Sequence, residues 1–197
     1  MQKKSRLLLV IGLIISVTSI SLAFLKINYW YFPAVIGVWF VFDYLASYKS
    51  KHTTIQILKE NKKKFFQLYL MIFFLGCSFE LIGRFILGWW AYPSINTIFL
   101  EILLMLFYPF ILFSFREMYN TLSIIIKSRI ITFVFSMLLG IIIWEIPNMF
   151  SKDWVYTVPY LNFEILNLQV VIVIGWSALI GFPLIVYSVV LQEDSGK

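Results

Sequence analysis

Long apolar runs alternate with short polar or aromatic connections along this chain. Six runs stand out, at about 7–25, 31–48, 65–89, 96–115, 130–147 and 167–191. Each is near the ~20 residues a helix needs to cross the hydrocarbon of a bilayer. The pattern predicts an all-α protein, a polytopic membrane helix bundle of about six transmembrane helices arranged as three hairpins. The first run follows MQKKSR but is too long for the apolar core of a signal peptide and has no A-x-A site after it, so a retained helix is expected.

The connections are of two kinds. YKSKHTTIQILKENKKKFF carries Lys49, Lys51, Lys59, Lys62, Lys63 and Lys64, and Arg116, Lys127 and Arg129 fall between the fourth and fifth runs. The other connections, KINYWYFP, GWWAYPSINT and IPNMFSKDWVYTVPYLN, are rich in Trp and Tyr. In a six-span arrangement only Lys26, Arg84 and Lys152 of the 16 Lys and Arg lie away from the basic side. The positive-inside rule then predicts an integral protein of the cell (plasma) membrane with both termini cytoplasmic.

Composition agrees with that class. The chain has 197 residues, 61% hydrophobic and 13% charged, far from the soluble average of about a quarter charged. Its net charge of +6 is explained by the topology signal, and no nucleic-acid partner is expected. One cysteine, Cys77, excludes an internal disulfide. The lone His52 sits in a basic loop, and no Cys/His/Asp spacing suggests a metal. Glycine-rich nucleotide loops, G-x-S-x-G and aspartate-rich prenyltransferase motifs are absent, so no cofactor is expected.

Two aromatic connections share a pattern. Glu80 precedes Trp89 and Trp90 by nine and ten residues, with Tyr92 next; Glu145 precedes Trp154 by nine, with Tyr156 next. A second carboxylate follows each Tyr, Glu101 after nine residues and Glu164 after eight. Trp30, Phe32, Pro33 and Asp43 form a fainter copy. This divides the chain into an N-terminal hairpin with its basic loop (1–64), a first repeat (65–128) and a second repeat (129–197).

Glu80, Asp43 and Glu101 fall within or near spanning segments, where an ionised carboxylate costs about 2.5–3.5 kcal/mol on insertion scales. Each must therefore face the interior, find a donor or take up a proton. A neutral carboxylic acid in a dry pocket is a general acid. An isoprenoid double bond can accept its proton if aromatic faces stabilise the carbocation and water is kept away.

FELIGRFILGWWAYP followed by FLEILLMLFYPF, and WEIPNMFSKDWVY followed by NFEILNL, resemble the repeats of the heterodimeric-type lycopene cyclase domain of bacteria, archaea and fungi. The likeness covers about 45 residues in each repeat. It departs from the family where Pro-x-Glu-Glu is reduced to Leu100-Glu101 and Phe163-Glu164. A related membrane terpene cyclase acting on another prenylated substrate fits the same residues. The resemblance implies Glu80, Glu101, Glu145 and Glu164 as acid and base residues. It implies Trp90, Tyr92, Trp154 and Tyr156 as substrate-binding groups around an apolar isoprenoid or lipid, and Asp43 and Arg84, charged residues within the apolar runs, are further candidates for substrate binding. A homo-oligomer is compatible with it.

Each residue also has a plainer reading. The Trp and Tyr side chains can be interfacial anchors. Glu145 and Glu164 can sit solvated at helix ends, and Arg84, four residues after Glu80, can pair with it along one helix face. If that pair forms, Glu101 becomes the better acid. A small transporter, or a membrane subunit binding lipid or partner helices, is the competing class, because intramembrane carboxylates also serve proton-coupled transport.

Overall fold

The computed structural model describes residues 6–48, 52–158, 164–165 and 168–192. Among them the protein is all-α apart from two short ribbons. The helices are α1 (Arg6–Phe24), α2 (Tyr31–Ala46), α3 (Thr54–Glu60), α4 (Lys62–Phe79), α5 (Ile98–Ile125), α6 (Arg129–Ser151) and α7 (Val170–Gln192). A π-helical segment, Glu80–Ile86, continues α4. Strand β1 (Trp90–Ala91) pairs antiparallel with β2 (Val155–Tyr156), and β3 (Glu164–Ile165) with β4 (Leu168–Gln169).

Four helical segments are long and apolar enough to cross a membrane: Arg6–Phe24, Lys62–Ile86, Ile98–Ile125 and Arg129–Ser151. Tyr31–Ala46 and Gly175–Leu191 are shorter apolar helices. Exposed Leu7, Ile14, Phe74, Phe85, Ile98 and Ile130 put hydrocarbon on the outer faces, which is compatible with an integral membrane location and unfavourable in water.

Side-chain caps set several helix starts. Asn61 accepts from Lys64 N–H at 2.9 Å before α4, Thr97 from Leu100 N–H before α5, and Ser128 from Ile131 N–H before α6. Lys152, in the left-handed conformation, ends α6. Helix α2 packs between α1 and α5. Its contact with α1 depends on small residues, since a Cβ at Gly37 would lie 2.6 Å from Ser16 Oγ and one at Gly12 would lie 2.9 Å from Phe40 Cβ.

Arg116 is not a loop residue, contrary to expectation. It lies inside α5 and is buried. Helix α5 runs ten residues beyond the apolar stretch that marks it in sequence, because its polar end is covered by α3 and α7. There Thr54 donates to Glu117 Oε1 through its N–H and its hydroxyl, at 2.9 and 2.6 Å. Arg116 donates to Glu117 and to the His52 carbonyl, and its guanidinium lies 3.9 Å from the Tyr187 ring centre. Asp43 accepts from Thr53 hydroxyl and Ile55 N–H at 3.0 and 2.8 Å. This buried polar cluster fastens the connection after α2 to α5 and α7.

Candidate functional site

The site begins at the π-helical segment. Its wider turn ends at Gly88, whose φ of +63° suits glycine. The chain then enters β1, and Thr157 N–H donates to the Trp89 carbonyl at 2.9 Å. With Trp90 opposite Tyr156 in the ribbon, the two aromatic connections are joined by backbone hydrogen bonds.

Each connection returns donors to the carboxylate that precedes it. Glu80, 1% exposed, accepts from the Tyr92 hydroxyl at 2.9 Å and from Trp90 Nε1 at 3.3–3.4 Å. Glu145, 2% exposed, accepts from the Tyr156 hydroxyl at 2.6 Å and from Trp154 Nε1 at 3.4 Å. Trp176 of α7 adds a third donor to Glu145 Oε1 at 3.0 Å, whereas the phenol of Tyr108 lies against Glu80. Burial first, and then the neighbouring carboxylate, holds the hydroxyls of Tyr92 and Tyr156 well above the usual phenol range. Both therefore remain donors.

Glycines make room for these rings. A Cβ on Gly83 would fall 1.8 Å from Trp90 Cη2, and one on Gly140 would fall 2.9 Å from Trp176 Cζ3. Trp154 is positioned by Asn148, which donates to its carbonyl at 2.9 Å and accepts its N–H at 3.1 Å. Trp30 lies between Trp144 and Trp154, with ring centres 5.9 and 6.0 Å away.

These rings enclose a cavity of about 340 Å³ whose walls include Trp90, Tyr92, Trp144, Trp154, Tyr156 and Trp176, with Glu145 in the wall. Glu80 stands behind Trp90 and Tyr92. It also borders a second, more open groove of about 730 Å³ between the π-helical segment and α5, shared with Cys77, Glu101 and Met105.

Asp153 joins the aromatic connections to one another. It is fully buried and accepts from Tyr29 N–H at 3.2 Å and Ser94 hydroxyl at 3.1 Å, while Tyr29 hydroxyl donates to the Ser94 carbonyl at 2.7 Å. Three connections are tied together by these bonds. Burial raises the Asp153 carboxyl above its ordinary range, and its hydrogen bonds oppose that rise.

The remaining sequence candidates lie elsewhere. Arg84 does not take Glu80 as its hydrogen-bonded partner. It donates to both oxygens of Glu101 at 2.7 Å, while Glu80 is taken up by Tyr92 and Trp90. Asp43 belongs to the polar cluster between α2, α3 and α5 and does not line the cavity. Glu145 is well inside α6 and buried rather than solvated at a helix end. Glu164 lies in β3, outside the residues whose side chains are described.

Trp144, Trp176, Tyr31 and Tyr108 are wall residues that sequence reading missed. Trp144 directly precedes Glu145 in the second motif, whereas Tyr31, Tyr108 and Trp176 come from α2, α5 and α7 without local spacing to either motif, and their signal is aromatic character in an apolar helix. Among the described residues no group of three or more His, Cys, Asp or Glu could hold a metal ion. No family model, curated protein or solved structure matches this chain.

Proposed function

We propose that the protein is a membrane-embedded cyclase acting on an isoprenoid, carotenoid-like in character, by protonation of a carbon–carbon double bond. The observation that carries this reading is a buried carboxyl, Glu145, in the wall of an apolar aromatic cavity, with only neutral donors to it among the described residues. Glu145 Oε1 accepts the two short bonds, while Oε2 has only the 3.4 Å contact with Trp154. Oε2 is thus the oxygen free to carry a proton toward a substrate.

In the proposed reaction, the Glu145 proton adds to one carbon of a double bond and leaves a carbocation on the other. A second double bond attacks that cation, forming the ring carbon–carbon bond and moving the charge within the chain. The Glu145 carboxylate then removes a proton from an adjacent carbon, giving a new double bond and restoring the acid. Atoms and electrons balance, and the product is an isomer of the substrate. Trp and Tyr faces stabilise the cation. Tyr156, Trp176 and Trp154 stabilise the transient carboxylate, and Glu80 adds a second negative centre behind Trp90 and Tyr92. Arg84 and Glu101 neutralise each other beside the π-helical segment, so the proposed reaction gives Glu101 a positioning role.

The same reading has the chain crossing the plasma membrane six times, as three hairpins with cytoplasmic termini; the asymmetric distribution of Lys and Arg supports this. The test is expression in bacteria making lycopene and, separately, in bacteria making shorter prenylated quinones. A new isomer of unchanged mass, lost in Glu145→Gln, is expected in one extract. Unchanged extracts from cells with well-inserted protein would favour transport or lipid binding.

A further inference from the structure

We infer that the aromatic cavity also binds a stable lipophilic organic cation, of the quaternary ammonium class, as a ligand in its own right. The inference uses the same cavity as the proposed reaction but does not depend on turnover.

Charge is the first reason. The chain carries 16 Lys and Arg against 10 Asp and Glu, yet among the described residues no basic side chain lines this cavity. Among the described residues Glu145 has hydrogen bonds only from Tyr156, Trp154 and Trp176, all neutral. Arg84, beside the neighbouring π turn, is held by both oxygens of Glu101. A cation entering the cavity supplies the countercharge that lets the buried Glu145 carboxyl give up its proton to solvent and ionise, a state that is otherwise costly there.

Shape and surface are the second reason. Indole and phenol rings supply nine of the 20 wall residues, and such faces attract a quaternary ammonium group through the ring quadrupole, most strongly where water is absent. A quaternary centre has no N–H to satisfy, so an apolar wall costs it no hydrogen bond. Inorganic cations and primary amines lack this match because they keep tightly bound water. The apolar remainder of the ligand meets Leu104, Ile111 and Leu179 in the same wall.

The test uses the full chain in nanodiscs of zwitterionic phosphatidylcholine, with binding read from tryptophan fluorescence. Geranyl-trimethylammonium is compared with the neutral hydrocarbon in which a quaternary carbon replaces its nitrogen. The cation is expected to bind at least about tenfold more tightly, matching a cation–π and charge contribution of one to two kcal/mol. Glu145→Gln should remove most of that preference, and Glu60→Gln, which removes a carboxylate of α3 away from the cavity wall, should keep it. The wild-type comparison stands even if Glu145→Gln folds poorly. Equal affinity for the two probes, no binding of either, or a preference that survives in folded Glu145→Gln overturns the inference. Loss of cyclisation with an intact cation preference overturns only the proposed reaction, and turnover without the preference overturns only the cation site.

Discussion

Replacing Gly83 by alanine isolates the contact that seats Trp90 over Glu80. A methyl group there would lie 1.8, 2.2 and 2.6 Å from three carbons of the Trp90 ring, whereas carbon atoms rest at about 3.5–4.0 Å. The indole must therefore retreat by roughly 1.5–2 Å to restore contact distance. Its Nε1 already sits at 3.3–3.4 Å from Glu80, so that movement breaks the hydrogen bond. Overpacking costs about 1–3 kcal/mol, and the lost hydrogen bond about 0.5–1.5 kcal/mol. Alanine is the better helix former by about 0.5–1 kcal/mol, too little to reverse the sign. A net loss of about 2 kcal/mol corresponds to a fall of about 4–8 °C in melting temperature for a chain of this size. The assay is thermal unfolding in nanodiscs, with Gly83→Ala/Trp90→Phe measured beside the single variants. The smaller ring should recover part of the loss, giving a coupling energy of about 1 kcal/mol or more. An unchanged melting temperature in Gly83→Ala, or no coupling in the double variant, would show that Trp90 is not seated by this glycine.

Three further outcomes follow from the geometry. Tyr156→Phe removes the 2.6 Å bond to Glu145 and should cost about 1–3 kcal/mol in thermal unfolding; wild-type stability in that variant counts against the bond. Arg116→Ala leaves Glu117 buried without its cation and should cost about 3–5 kcal/mol, read as a reduced folded fraction on denaturant titration, and a loss below 1 kcal/mol contradicts that role. Because the folded-state pKa of Asp153 is raised, its protonated form is favoured by folding, so its contribution to stability rises as pH falls through that value and levels off below the unfolded value near ~3.9. Asp153→Asn keeps an acceptor for Tyr29 and Ser94 and should flatten this part of the pH–stability profile; an unaltered profile excludes Asp153 as its source.

The parts of the site that the sequence reveals are local, and those it conceals are distant. Glu80 with Trp90 and Tyr92, and Glu145 with Trp154 and Tyr156, are each linked through a single connection, so spacing alone brings them into view. Trp176 reaches Glu145 across 31 residues by packing of α7 on α6, and no local period records that. The Arg84–Glu101 pair joins two helical segments across 17 residues, so the four-residue spacing of Arg84 from Glu80 pointed to the wrong partner. Arg116 looked like a topology marker because its countercharge, Glu117, and its cover, Thr54 and Tyr187, become evident only when α3 and α7 are in place. The helices themselves were legible because about twenty consecutive apolar residues leave little alternative.

The central claim is that Glu145 passes a proton to a carbon of the bound substrate. The most direct measurement is a single turnover by purified protein pre-equilibrated in D2O and in excess over the substrate, with whichever prenylated extract yields an isomer, followed by mass spectrometry of the product. Wild-type protein should give a ring product carrying a single new carbon-bound deuterium, and Glu145→Gln should slow its formation by about 10²–10⁴-fold. Product without deuterium, or wild-type rates in Glu145→Gln, contradicts proton transfer from this residue.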